Sequence, residues 1–130
     1  MPMNKPHREF HALDMDSGWA PPRGYPPTIE QKILSSDIDE RAKMGSRTRL
    51  LRFAPGGFTT APFVHDHWEE VYLIEGDLVV GSDAHGKGGE PFKAPTYACR
   101  PPGVFHGPFR SEGGCVLFEI HYYDESGKKA

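Results

Sequence analysis

Two histidines separated by one residue, His65 and His67, form the first pair in the chain whose type and spacing suggest chemistry. In a β-strand, residues i and i+2 project to the same face, so both imidazoles would point together. Imidazole is a common protein ligand for transition metals, and two on one face provide half of a site. The pattern is weak alone, because seven histidines in 130 residues produce it by chance about a third of the time.

A third histidine, His106, follows a tight turn in the segment PPGVFH, residues 101–106. A metal site needs ligands from distant strands that converge on one point. A tight turn directly before His106 would fix the position of this third ligand. Three imidazoles suit iron, manganese, nickel or zinc better than calcium or magnesium. We therefore predict one divalent transition-metal ion bound by the three histidines, with a glutamate nearby.

The spacing leaves the identity of the glutamate open. Only Trp68 separates His67 from Glu69, and in an unbent strand His65 and Glu69 would lie about 13 Å apart, too far to share an ion. Either the chain turns sharply at Trp68, or the carboxylate ligand is Glu70, or the site uses histidines only.

Phe63 alternates with the two histidines, which predicts that it faces the same interior and lines a substrate pocket. Alternation also divides the last strand into two faces. We expect its apolar set, which includes Phe118 and Ile120, to face a core. Glu119 and His121 would then point outward, and His121 is not counted as a ligand.

The elements that must position these residues are short. Fifteen glycines and thirteen prolines are spread along the chain as breaks, and no segment keeps a 3.6-residue apolar period for three turns, so we predict an all-β fold. We expect an irregular N-terminal arm over residues 1–45 packed on the domain, a barrel over 46–124 and a tail over 125–130. The expected strands are 29–34, 48–53, 63–67, 71–75, 77–80, 96–100, 104–109 and 115–123.

The composition argues against nucleic acid and membrane as partners. The net charge is −3, and no run of lysine or arginine provides a nucleic-acid footprint. No apolar stretch is long enough for a signal peptide or a membrane span. We therefore expect a cytoplasmic protein that binds a small molecule and neither nucleic acid nor membrane.

Two segments together carry a family resemblance. The segment HDHWEEVYLIEG, residues 65–76, and the segment PPGVFH resemble the two motifs of the cupin superfamily. The sequence that follows is similar to ChrR-type cupins and to acetylacetone-cleaving dioxygenases. The resemblance implies an RmlC-like double-stranded β-helix, or jelly-roll barrel, with the metal inside it, and a homodimer. By position, His65, His67 and His106 match the histidine ligands and Glu69 matches the carboxylate ligand.

The resemblance also implies an activity. The first hypothesis is a non-haem iron dioxygenase acting on a small oxygenated organic molecule, with zinc, manganese or nickel as alternative metals. The second is a non-enzymatic module that senses metal or ligand; such sensors carry a helical domain, for which we see no pattern here. The third is a metal-dependent isomerase or lyase with the same ligands.

Overall fold

The computed structural model describes residues 4–124 and builds them from seven strands without a helix, which confirms the all-β prediction. Residues 1–3 of the predicted arm and the whole predicted tail lie outside the described residues. No described segment forms a helix capable of spanning a membrane. The strands are β1 (Ile29–Ser36), β2 (Ser46–Phe53), β3 (Trp68–Val80), β4 (Glu90–Lys93), β5 (Thr96–Arg100), β6 (Phe109–Arg110) and β7 (Cys115–Tyr122).

All strand pairs are antiparallel, and the long strand β3 connects the two halves of the fold. Its first half lies between β7 and β5, while its second half pairs with β4 and β6. A register shift between Leu73 and Glu75 separates the halves, and Gly76 follows at a φ of +90°. A Cβ at Gly76 would collide with the carbonyl oxygen of Gly114, so only glycine permits this close approach.

The side chains inside the barrel change from apolar at one end of the strands to charged and histidine at the other. At one end, alternate residues of β2, β3 and β7 are apolar and pack together, as Leu51, Leu73 and Leu117 do. At the other end, the same alternation places charged residues and histidines inside. The apolar cluster consists of Ile29, Leu51, Phe53, Val71, Leu73, Leu78, Cys115 and Leu117.

The prediction for the two faces of β7 is wrong. The buried set is Cys115, Leu117, Glu119 and His121, and the apolar residues between them lie half-buried on the outer face of the sheet. The reason is that charged partners from neighbouring strands meet Glu119 and His121 inside the barrel. Polarity alone therefore does not reveal which face is internal.

Several strand boundaries also differ from the prediction. Residues 63–67 form no strand; only Phe63 pairs, in an isolated bridge with His106. The strand expected over 104–109 is reduced to β6, whereas β3 continues through Gly76 instead of ending there. Strand β4 was not predicted, because four residues that include a proline give no clear alternation.

The N-terminal segment before β1 lies against the barrel. Ala20 pairs with Gln31 of β1, and the guanidinium of Arg52 lies 4.0 Å from the ring centre of Trp19. Tyr25 reaches further in and stacks on Phe63, with 4.8 Å between the ring centres. This segment therefore contributes an aromatic side chain beside the predicted site.

Two adjacent residues of β3 test which face is the core. Leu73 is 1% exposed and Ile74 is 41% exposed. We expect Leu73→Ala to lower the free energy of unfolding by about 2–5 kcal/mol, because it leaves a cavity. We expect Ile74→Ala to cost about 1 kcal/mol or less. Urea denaturation measures both, and equal losses would contradict the assignment of the faces.

Candidate metal centre

The strand register places four polar side chains in one row across the barrel interior. Arg47 of β2 lies opposite His121 of β7, which lies opposite Glu69 of β3, which lies opposite Arg100 of β5. Because antiparallel partners on one face are close neighbours, the row brings opposite charges together. The carboxylate of Glu69 thus accepts a hydrogen bond from Arg100 at 2.9 Å.

The loops that carry the predicted histidines converge on this row. Backbone hydrogen bonds join Phe63 to His106 in both directions, at 2.7 and 2.8 Å, and Gly103 donates to the carbonyl of His65. The two histidine-bearing segments are therefore paired with each other, although neither forms a regular strand there. This pairing brings His65 and His106 to the same end of the barrel.

The expected 13 Å separation does not occur, because the chain bends before β3 begins. The side chain of Trp68 packs on Tyr122 outside the barrel and donates to Asp124. The following residue, Glu69, then faces inward and is 4% exposed. Its Oε2 atom lies 3.7 Å from Nε2 of His65.

Glu70 faces the opposite way. Its carboxylate accepts hydrogen bonds from the hydroxyls of Tyr97, at 2.5 Å, and Tyr122, at 2.9 Å, on the outer face of the sheet. Of the two glutamates that the sequence leaves open, only Glu69 lies with the histidines.

Three potential ligand atoms come together. One atom each of His65, Glu69 and His106 lies within 4.8 Å of the other two, and Nε2 of His106 is 3.8 Å from Oε2 of Glu69. His67 lies beside this group and is buried; its ring stacks on those of His65 and His121, at 4.6 and 4.7 Å. The ring centre of Phe63 lies 6.1 Å from that of His106.

The hydrogen bonds of the histidines fit a metal. Nδ1 of His67 lies 3.1 Å from the carbonyl oxygen of Trp68, and Nδ1 of His106 lies 3.3 Å from that of Val104. A carbonyl only accepts, so each Nδ1 carries the proton and each Nε2 keeps its lone pair. Such outer partners commonly orient histidine ligands. Imidazole nitrogens with one carboxylate oxygen suit a divalent transition metal.

Burial controls the charge of these groups. It lowers the pKa of His65 from 6.5 to about 4, and it also lowers the pKa values of His67 and His106. The three rings are therefore neutral at pH 7, as ligands must be. Burial opposes the ionisation of Glu69, as does the charge of Glu119, but the hydrogen bond from His121 holds its pKa below the ordinary value.

A second layer of charged side chains, which the sequence patterns did not predict, lies below the proposed ligands. Glu119 accepts from Nε of Arg49 at 2.9 Å, and both side chains are buried. Burial opposes the ionisation of Glu119, but Arg49 and His121 hold its pKa well below the usual range. The available signal was that Arg47 and Arg49 share the face of β2 that carries Leu51 and Phe53.

Atoms of Glu69, Glu119 and His121 also lie within 4.8 Å of one another. Arg49 already neutralises Glu119, and Arg47 donates to Nδ1 of His121 at 2.7 Å. Two guanidinium groups in direct contact with this set disfavour a further cation. The set is better described as an ion-pair network that supports Glu69.

The site is reached from outside through an open pocket of about 660 Å³. The ring of His65, 28% exposed, lies at the pocket. A small cavity of about 30 Å³ lies on the inner side of the site, bordered among others by Tyr25, Glu69 and Arg100. The pocket is lined by Glu40, Val64, His65, Asp66, His67, Pro102 and Gly103.

Comparisons with known proteins agree with this architecture. The family model described as the ChrR cupin-like domain matches residues 9–123. An acetylacetone dioxygenase from Acinetobacter johnsonii is 19% identical, with a TM-score of 0.62 over 98% of this chain and 87% of that one. An RmlC-like cupin from Shewanella frigidimarina is 18% identical, with a TM-score of 0.61 over 90% and 94%.

A further similar structure is the polyketide cyclase RemF from Streptomyces resistomycificus, 18% identical, with a TM-score of 0.60 over 89% of this chain and 81% of that one. No curated protein matches the chain. At these identities the structures establish the fold alone, and the predicted jelly roll is confirmed.

The histidine pKa values predict how stability depends on pH. At His65 of the metal-free protein, the unfolded chain binds more protons than the folded chain between pH 6.5 and about 4, because burial lowers the folded pKa across this range. The pKa values of His67 and His106 are shifted the same way, and that of His121 is raised and opposes them. Stability therefore rises with pH in that window and is lost as the pH falls. We expect the thermal unfolding midpoint, measured in chelator, to drop from pH 6.5 to about 5.5, a range in which glutamates of ordinary pKa, 4.5, stay mostly ionised.

His65→Gln removes one of these groups and should make the decline shallower. His85→Gln, on an exposed loop, serves as the matched control and should leave the slope unchanged. Equal slopes in wild type and His65→Gln would contradict the assignment.

Proposed function

The chain belongs to the ChrR cupin-like family, and from that premise we propose that it is a metal-dependent dioxygenase acting on a small oxygenated organic molecule. The convergence of His65, Glu69 and His106 beside an open pocket carries the proposal. The similarity to an acetylacetone dioxygenase supports it.

In this proposal His65, His67, His106 and Glu69 hold the ion. The bound metal supplies Lewis acidity and coordination positions for a chelating oxygenated substrate. Iron is the first choice, with manganese, nickel or zinc as alternatives. Elemental analysis of untagged protein purified without chelator identifies the metal.

The chain itself provides binding and orientation. Arg100 fixes the Glu69 carboxylate, while Phe63 and Tyr25 form an aromatic wall at the inner side of the site. Val64 and Pro102 give the pocket apolar contacts for a small organic molecule. These groups position the substrate; the bound ion provides the activation.

The charge of the interior favours an anionic form of the substrate. Among the described buried and half-buried groups that face the site, the guanidinium groups of Arg47, Arg49 and Arg100 exceed the carboxylates of Glu69 and Glu119 by one positive charge. Two exposed carboxylates, Glu40 and Asp66, line the outer pocket, so the positive charge is confined to the inner side of the site. A divalent ion makes the site more positive. An enolate, which carries a negative charge on chelating oxygens, complements this field.

A non-oxidative reaction on the same ligands is the second candidate. The structural similarity to a polyketide cyclase favours it, and an isomerase or lyase would consume substrate without oxygen. Turnover under strict anaerobiosis by the metal-loaded protein would identify this activity.

The proposal predicts oxygen uptake by the iron-loaded protein with at least one member of a panel of 1,3-diketones and phenolic ketones. Glu69→Gln and His106→Ala should lower the uptake rate at least about 100-fold, because each removes a proposed ligand. Glu70→Gln, whose carboxylate lies on the outer face, is the matched control and should stay within about threefold. An oxygen electrode measures the rates.

Absence of uptake across the whole panel in protein with stoichiometric iron would overturn the dioxygenase proposal. Equal losses in Glu69→Gln and Glu70→Gln would show that the inward position of Glu69 has no role in the reaction.

A further inference from the structure

A fourth imidazole, that of His121, lies inside the barrel next to the proposed ligands. It is 1% exposed, and its Nε2 atom lies 3.4 Å from Oε2 of Glu69 and 3.1 Å from Oε1 of Glu119. Proximity alone would make it a candidate ligand. Its hydrogen bonds give it a different role.

The direction of those hydrogen bonds follows from the partners. Nε and a terminal nitrogen of Arg47 lie 3.1 and 2.7 Å from Nδ1 of His121. A guanidinium has donors and no acceptor, so Nδ1 accepts and carries no proton. The ring proton is then on Nε2, which lies between the carboxylates of Glu119, at 3.1 Å, and Glu69, at 3.4 Å, and donates to them. Burial opposes a second proton on His121, whereas the two carboxylates raise its pKa. A proton on Nδ1 would, however, replace the hydrogen bond that Arg47 donates there.

In His121 the donor and acceptor nitrogens are therefore the reverse of those in two proposed ligands. His67 and His106 donate from Nδ1 to backbone carbonyls and present a lone pair on Nε2. His121 presents an N–H at the same end of the barrel. An Nε2 atom that carries a proton cannot coordinate an ion, so Arg47 keeps His121 out of the ligand set.

We propose that Arg47 and His121 form a positioning pair, in which Arg47 fixes the Nε2–H form of His121 and that N–H orients the Glu69 carboxylate for the metal. The inference depends on the metal site proposed above and concerns metal binding, whatever reaction follows. The carboxylate has Arg100 on Oε1 and His121 beside Oε2. Its orientation is thus fixed from both sides.

Replacing His121 with glutamine distinguishes a positioning role from direct ligation of the metal. The amide oxygen of glutamine can accept from Arg47 and its amide nitrogen can donate to the glutamates, so it reproduces the polarity of His121 without an imidazole. We expect His121→Gln to bind Zn²⁺ within about threefold of wild type. His121→Leu should bind about 10- to 100-fold more weakly, as found for lost outer partners of metal ligands.

Competition with a chromogenic chelator measures these affinities. Zn²⁺ is used as the probe because it does not oxidise, as Fe²⁺ would. Loss of affinity in His121→Gln equal to that in His121→Leu would overturn the inference in favour of direct ligation by His121. Wild-type affinity in a folded His121→Leu protein would overturn it in favour of a purely structural role. A wild-type protein that binds no Zn²⁺ would remove the metal site itself, and the inference with it.

A second measurement reports on the tautomer directly and needs no metal. In ¹⁵N-labelled metal-free protein at pH 7, the imidazole spectrum should assign the proton of His121 to Nε2 in the wild type. Arg47→Leu should reduce the Nε2–H population and weaken Zn²⁺ binding. Arg52→Leu, on the same strand but paired outside with Glu30, should change neither. A protonated Nδ1 in the wild type would contradict the proposal.

Discussion

The buried carboxylate of Glu69 is the constraint on which the site depends. An ionised group inside a barrel is costly unless opposite charges and hydrogen bonds meet it. Here the strand register supplies them, since β5 brings Arg100 and β7 brings His121 to the same row. A shift of one residue in either pairing would turn that strand's partner to the outer face and leave the carboxylate with one partner instead of two. The position of the site is therefore determined by the same register that builds the sheet.

This arrangement divides the barrel interior between stability and chemistry. Leucines from three strands fill one end, and charged residues and histidines fill the other. The second layer, Arg49 with Glu119, lies between the two ends and separates the site from the apolar core. Because ion pairs of this kind contribute little net stability, their effect here is on position: they hold the groups that surround the site in one arrangement.

The sequence predicted the fold class and the main strands, because spaced glycines and prolines and the two motifs are local signals. It also predicted that the segment of His65 and His67 would approach His106, through the turn before His106, although it expected strands where the structure has loops. It left the glutamate open, since the bend at Trp68 depends on contacts with Tyr122 and Asp124, more than fifty residues away. It assigned β7 to the wrong face for a related reason: Glu119 and His121 are buried by partners on other strands, and no local pattern reports those partners. Ligation by the three histidines and Glu69 stays a prediction.

The most direct test of this account is the position of the ion in a crystal of metal-loaded protein, determined by anomalous scattering at the absorption edge of the metal. We expect one stoichiometric site bounded by Nε2 of His65, His67 and His106 and by the carboxylate of Glu69, with His121 uncoordinated. An ion bound by Glu119 and His121, or no ion in protein that contains stoichiometric metal in solution, would contradict it.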